Sequence, residues 1–143
     1  MYEYRCKVLR VVDGDTVDVD IDLGFGVWMH KERVRIMGID TPESRTKDLV
    51  EKSYGLRAKE FMKYLMPIGS MQIIKTQKDK TGKFGRILGD FIIEHKDDNN
   101  NYSNKLASAL MMENYHAVPY KGQNKDDLIE LHMANRVMLE QLL

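Results

Sequence analysis

Hydrophobic and polar positions alternate with period two over residues 16–23, TVDVDIDL. Val17, Val19, Ile21 and Leu23 fall on one face, and Asp18, Asp20 and Asp22 on the other. Successive side chains of a strand point to opposite faces, so this alternation predicts a half-buried antiparallel strand. Residues 2–12 are rich in β-branched and aromatic side chains and predict a strand before it, with Asp13-Gly14 as the hairpin signal between the two. Gly24-Phe25-Gly26 marks a turn, and residues 27–39 a third strand. Pro42 has no backbone N–H and holds Thr41 extended, so Asp40-Thr41-Pro42-Glu43 ends the pattern. Residues 44–52 read as a polar, basic loop. Ser53 predicts the cap of a helix over 54–66, with Leu56, Phe61, Tyr64 and Leu65 on its apolar side and Pro67 and Gly69 beyond its end. Strands are predicted at 71–77 and 86–94, joined by a glycine-containing turn over 78–85. After the polar connection 95–101, Ser103 predicts the cap of a helix over 104–115. The last helix, 125–142, carries Asp126 and Asp127 in its first turn, with Leu128, Leu131, Met138 and Leu142 as its buried stripe.

Three strands, a helix, two strands and two helices fit an α+β chain that is mainly β barrel. The five-stranded oligonucleotide-binding (OB-fold) barrel with three α-helices has this order, its first helix plugging the base. A generic α+β sheet is the rival reading. The 143 residues are expected to form one domain, 1–143. With 43% apolar and 31% charged side chains the composition excludes a wholly disordered chain. No apolar run approaches the ~18 residues of a membrane helix, so no membrane partner is expected. The first residues lack an apolar stretch followed by a cleavage site, which leads us to expect a cytoplasmic protein. One cysteine, Cys6, excludes an internal disulfide and a multi-cysteine zinc site, and is expected to be a packed strand residue.

Net charge is zero, but residues 44–88 hold 11 basic and 4 acidic side chains while both flanks are acidic. A basic centre either attracts a polyanion or is a mixed solvated surface. The acids between residues 13 and 43 repel a polyanion unless a cation sits among them. The four histidines show no paired metal spacing and are expected at the surface or its boundary. The stripe Asp18, Asp20, Asp22 is expected to be a solvated strand face.

Three short elements carry candidate chemistry. Asp13-Gly14-Asp15-Thr16 is either a plain turn or part of a cation site. It is not an EF-hand loop, because position six is Asp18 rather than glycine and position twelve is Gly24 rather than glutamate. Arg35 followed by Asp40 and Glu43 puts two carboxylates at a proline-stiffened turn. One carboxylate can bind a hard cation and the other can reach a water on it, or the element is a turn with a surface ion pair. In Asp79-Lys80-Thr81-Gly82-Lys83-Phe84-Gly85-Arg86, two glycines and three cations suit phosphate, or a solvated hairpin turn.

Taken together, VVDGDTV at 11–17, RIMGIDTPE at 35–43, YGLRAKEF at 54–61 and KFGRILGDF at 83–91 resemble the staphylococcal nuclease family, in its order and near its spacing, over roughly residues 5–140. The resemblance implies the five-stranded barrel and a calcium-dependent nuclease (Ca2+) that cleaves the phosphodiester backbone of DNA and RNA. It implies Asp15 and Asp40 as side-chain calcium ligands and the backbone carbonyl of Thr41 as a third. Arg35 and Arg86 grip the scissile phosphate, and Glu43 orients or deprotonates the attacking water. Asp13 and Thr16 stand behind the ligands. Lys83 and Tyr120 match a phosphate-contacting lysine and a base-stacking tyrosine. Phe84 stands where the founding enzyme has a tyrosine that contacts a terminal phosphate, and a second tyrosine position holds Val118. The segment from Thr16 to Arg35 is longer than in the founding enzyme, which predicts a longer hairpin around Trp28. A single-stranded or frayed substrate and a monomeric protein are expected. The alternative is a non-catalytic OB-fold module that binds single-stranded nucleic acid. Retention of Asp15, Asp40, Glu43, Arg35 and Arg86 favours the enzyme.

Overall fold

The computed structural model describes residues 2–81 and 85–143, with the backbone alone for 78–81. Along the chain lie β1 (Tyr2–Asp13), β2 (Thr16–Gly24), β3 (Val27–Ile36), β4 (Ile39–Asp40), α1 (Leu49–Leu65), β5 (Met71–Thr81), β6 (Ile87–Lys96), β7 (Tyr102–Leu106), α2 (Ala107–Glu113), β8 (Val118–Pro119) and α3 (Lys125–Gln141). β1, β2 and β3 form an antiparallel meander. β5 pairs with β1, and β6 with β5. The ring closes where β6 runs parallel to β3, from Val34 opposite Ile87 to Ile36 opposite Gly89. Five strands thus make the expected OB-like barrel, and β7 extends its sheet beyond β6. β4 and β8 form a separate two-stranded ribbon.

The inward residues of β2, Val17, Val19 and Ile21, are buried among Val8, Val34, Ile36, Ile74 and Phe91. Ala58 and Met62 of α1 and Leu110 and Met111 of α2 complete this core. Leu23 keeps the alternation but lies past the barrel rim and is exposed. Cys6 is fully buried in β1, as expected, and burial pushes its thiol pKa up to about 12. The outward acids of β2 are engaged locally. Asp18 takes a two-pronged bond from Arg33 (2.9 and 3.2 Å), Asp20 accepts from the Lys31 N–H, and Asp22 accepts from the Gly24 N–H. Gly14 turns β1 into β2 without a left-handed φ. Its glycine is needed for space, since a Cβ there would lie 3.0 Å from Ala58 Cβ and 3.2 Å from Thr41 Cγ2.

Six sequence expectations change. The third strand stops at Ile36, because Gly38 adopts φ 77° and turns the chain before β4. The helix expected from Ser53 starts at Leu49, because the Asp48 carboxylate accepts from the N–H groups of Val50 and Glu51 (3.1 and 3.2 Å) and satisfies the helix start earlier. That helix turns Tyr54, Gly55, Ala58 and Met62 inward. Its close approach to the β1–β2 turn admits small residues, which leaves Leu56 and Tyr64 facing out. The helix expected over 104–115 is strand over 102–106, because a ladder from Ile92–Leu106 to Lys96–Tyr102 outweighs the local helical pattern. α2 follows with Leu106, not Ser103, at its N-cap position. α3 matches its expected range and is capped by Asn124 (2.9 Å to Asp127 N–H), but Leu139 is its buried residue, while Leu131, Met138 and Leu142 are exposed. Much of that helix's attachment is polar: Tyr54 Oη donates to Glu140 (2.6 Å), Arg57 pairs with the same carboxylate, and Asn135 donates to the Ala117 carbonyl (3.0 Å).

Candidate active site

Arg35 stands one residue before the end of β3, opposite Thr16, the first residue of β2. Asp15 occupies the β1–β2 turn and Asp40 ends β4. The turn through Gly38 folds the chain back so that Arg35 Nη1 donates to the Ile36 carbonyl (2.7 Å) and Nη2 to the Ile39 carbonyl (2.9 Å). The same Nη2 lies 3.4 Å from Asp15 Oδ2 and 3.9 Å from Asp40 Oδ1. The side chains are 17%, 13% and 32% exposed, respectively. Burial pushes the Asp15 carboxyl above the usual range. The Arg35 cation and the Thr16 hydroxyl (3.0 Å) oppose that rise, and the charges of Asp40 and Asp13 add to it. Two carboxylates therefore flank one guanidinium nitrogen with negative charge in excess. They are hard oxygen donors of the kind calcium takes. No cluster of three or more His, Cys, Asp or Glu side chains suited to a metal ion forms among the described residues. An ion there would draw its remaining ligands from carbonyl oxygen and water.

The loop after β4 packs tightly. Thr41 is buried, with its methyl against Gly14. Asp13 accepts a hydrogen bond from the Ser44 hydroxyl, which ties the loop to the end of β1. The Glu43 side chain is exposed, while its main chain is pressed onto α1: a Cβ at Gly55 would lie 2.3 Å from the Glu43 carbonyl oxygen and 2.6 Å from the Ser44 nitrogen. Gly55 thus sets where Glu43 stands, a role visible only once the helix is seen against the loop.

Arg35, Ile36, Asp40, Arg86, Leu88 and Tyr120 line one cleft of about 560 Å³. Tyr120 is 43% exposed there, and its N–H donates to the Gly38 carbonyl (2.8 Å). Val118 pairs with Asp40 in the β4–β8 ribbon and is buried, so an apolar residue suits that position. Lys83 and Phe84 lie outside the described residues.

One site residue was not apparent from the sequence. His132 of α3 brings Nε2 within 2.7 Å of Asp40 Oδ2, with its own side chain only 13% exposed. The boundary placement expected of it omits this contact, because no local spacing joins two residues 92 positions apart. His30 is exposed, 3.3 Å from Asp20. His116 packs on Phe61 (4.9 Å between ring centres), and burial lowers its pKa.

A family model described as staphylococcal nuclease homologue matches residues 33–136. The chain is 34% identical over 88 residues to a thermonuclease of Staphylococcus hyicus, a match covering 60% of this chain and 47% of that protein. It is 33% identical over 87 residues to Protein ParB of Escherichia coli, covering 61% and 41%. To Endonuclease YncB of Bacillus subtilis it is 30% identical over 87 residues, covering 61% and 38%. The chain spans less than half the length of these three relatives.

Proposed function

Because the chain belongs to the staphylococcal nuclease homologue family, we propose that it hydrolyses phosphodiester bonds of nucleic acid, DNA and RNA alike, with a calcium ion as cofactor. The reading rests on one observation: the Arg35 guanidinium is fixed by two carbonyls between Asp15 and Asp40, on the wall of a cleft shared with Arg86 and Tyr120. The endonuclease and thermonuclease names of relatives support it.

A phosphodiester is an anion, so attack on phosphorus must overcome charge repulsion. Arg35 and Arg86 present planar forks that stay charged at any working pH and match phosphate oxygens. Negative charge grows on the equatorial oxygens as the water oxygen bonds to phosphorus, giving up a proton to solvent, and the opposite P–O bond breaks, its sugar oxygen leaving as a hydroxyl after taking a proton from solvent. These cations therefore stabilise the transition state more than the ground state. Arg35 is aimed before substrate arrives, which removes a reorganisation cost. The Asp15 and Asp40 carboxylates and the Thr41 carbonyl would hold the calcium ion. When bound there, calcium neutralises a phosphate oxygen and lowers the pKa of adjacent water. Glu43 accepts the hydrogen bond that orients the attacking water. Tyr120 offers a ring face to an unstacked base, which favours single-stranded or frayed substrate over stiff duplex.

Digestion of single-stranded DNA, duplex DNA and RNA with calcium, with magnesium and with chelator tests this reading, with Glu43→Gln and Arg86→Ala proteins run alongside. Cleavage is expected with calcium alone and is expected to drop at least a hundredfold in both variants. Cleavage that persists in chelator, or in both variants, would overturn it. Binding without cleavage in the unaltered protein would make the chain a binding module.

A further inference from the structure

Arg86 belongs to two clefts. One is the cleft above, walled by Arg35, Leu88 and Tyr120. The other, about 610 Å³, opens on the outer face of β2 and β3 and is lined by Asp18, Lys31, Arg33, Arg45, Gly85 and Arg86, together with Asp13 and Thr16. The two differ in chemistry. The first offers an aromatic ring and leucine side chains, which suit a base. Among the described residues the second offers four cations against two acids and no aromatic ring, which suits a phosphate backbone.

The acids of the second cleft are already engaged. Asp18 holds Arg33 in a two-pronged bond, and Asp13 accepts from Ser44. Lys31 and Arg45 are exposed, and among the described residues no carboxylate lies within ion-pair distance of either. The placement of Lys31 is built into the strand. Between the pairs Val19–Glu32 and Ile21–Met29, two residues of β3 oppose the single residue Asp20. This bulge puts Lys31 at φ 56°, held by its N–H bond to Asp20 (2.9 Å). Strict alternation would send Lys31 and Arg33 to the face of Met29, away from His30. The bulge resets the alternation, so Arg33 leaves the face of Met29, pairs opposite Asp18 and lines the outer cleft with Lys31.

We propose that this cleft is a second phosphodiester subsite, in which Lys31, Arg45 and the Arg33–Asp18 pair hold the backbone of a nucleic-acid strand as it continues past Arg86. The inference rests on the nuclease reading for the position of the scissile phosphate at Arg35 and Arg86. Contacts to the phosphate backbone fix charge and spacing and carry no sequence information directly, so the subsite is expected to tolerate any base.

The test is fluorescence anisotropy in chelator, with a labelled thymidine dinucleotide and a labelled thymidine octamer at 50 and 200 mM salt, on the unaltered protein and on Lys31→Ala, Arg45→Ala and the double variant. The unaltered protein is expected to bind the octamer at least tenfold more tightly than the dinucleotide. The double variant is expected to lose about tenfold on the octamer and under threefold on the dinucleotide. Its slope of log affinity against log salt is expected to fall by about 1.4, two phosphate contacts at about 0.7 each on a single strand. Both side chains are exposed, so melting temperatures should agree within a degree or two and exclude misfolding. Equal losses on both probes, an unaltered octamer affinity, or no octamer binding at all would each overturn the subsite. The readout does not depend on cleavage. A protein that binds with this length dependence and cuts nothing leaves the subsite standing and removes the nuclease reading. A protein that cuts with no length preference does the reverse.

Discussion

His132 and Asp40 stand 2.7 Å apart, Nε2 to Oδ2, and join helix α3 to the short strand at the candidate site. The other oxygen of the same carboxylate faces Arg35. Asp40 is therefore held from two sides, by a ring nitrogen from the C-terminal helix and by the guanidinium from the barrel. Carboxylates that bind metals act best when an outer partner fixes their orientation.

Replacing His132 with alanine frees one side of Asp40. With calcium bound at Asp15 and Asp40 as proposed, its affinity measured by titration calorimetry is expected to weaken about 10- to 100-fold, the range seen when such outer partners are lost. Glutamine, which retains an N–H donor, is expected to recover part of the loss. An unchanged calcium affinity in the alanine variant would show that the histidine does not position the ligand.

Arg35→Lys keeps the charge and loses the fork. The arginine uses Nη1 and Nη2 to bond the Ile36 and Ile39 carbonyls while Nη2 also faces both acids. A lysine has one ammonium and cannot reach that many partners in a fixed plane. The turnover rate on single-stranded DNA is expected to fall by about 10³ or more, the scale of losing a transition-state arginine in phosphoryl transfer. A loss under tenfold would mean that charge alone suffices there.

The strands were legible wherever one face is buried, as the alternation of Val17, Val19 and Ile21 shows. No single turn marked Asp15, Arg35 and Asp40, since each reads equally as a plain turn or a surface ion pair. Only the four motifs taken together, through their family resemblance, pointed to the three side chains, which the fold gathers with both acids within 4 Å of Arg35. What failed depended on distant partners. The 102–106 segment reads as the start of a helix until β6 supplies a ladder, and Ser53 reads as a cap until Asp48 takes the position first. The face of α1 was misassigned because helix periodicity favours large side chains, while the packed face needs Gly55 and Ala58 to admit the neighbouring backbone. His132 had no local signal at all.

Gly55→Ala separates local propensity from packing. In a helix interior alanine is favoured over glycine by about 1 kcal/mol. Here its Cβ would meet the backbone of Glu43 and Ser44 at 2.3–2.6 Å, atoms that cannot turn aside like a side-chain tip. Overpacking of this kind costs about 1–3 kcal/mol and exceeds the helical gain. The melting temperature is expected to fall by several degrees, and cleavage to fall further than the lost folded fraction explains, because Glu43 moves. A rise in melting temperature would show that the loop shifts freely.

Asp90 gives a stability signature independent of the candidate site. It is buried and accepts from the N–H groups of Phe91 (2.8 Å) and Ser108 (3.2 Å) and from the Ser108 hydroxyl. Burial raises its pKa above the ordinary value, and those hydrogen bonds and the Lys75 charge offset only part of the rise. A carboxyl whose folded pKa lies above its unfolded value, near 3.9, favours folding most when protonated. Its contribution is complete below the unfolded pKa and is lost as pH rises through the folded one. The amide introduced by Asp90→Asn does not titrate, so the stability of the unaltered protein minus that of the variant is expected to grow as pH falls from 7 toward 4. Acids with lowered pKa, such as Asp20 and Glu140, are present in both proteins and cancel in the difference. Urea unfolding at four pH values measures it, and a difference that shrinks or stays level on acidification would show that burial does not control this carboxyl.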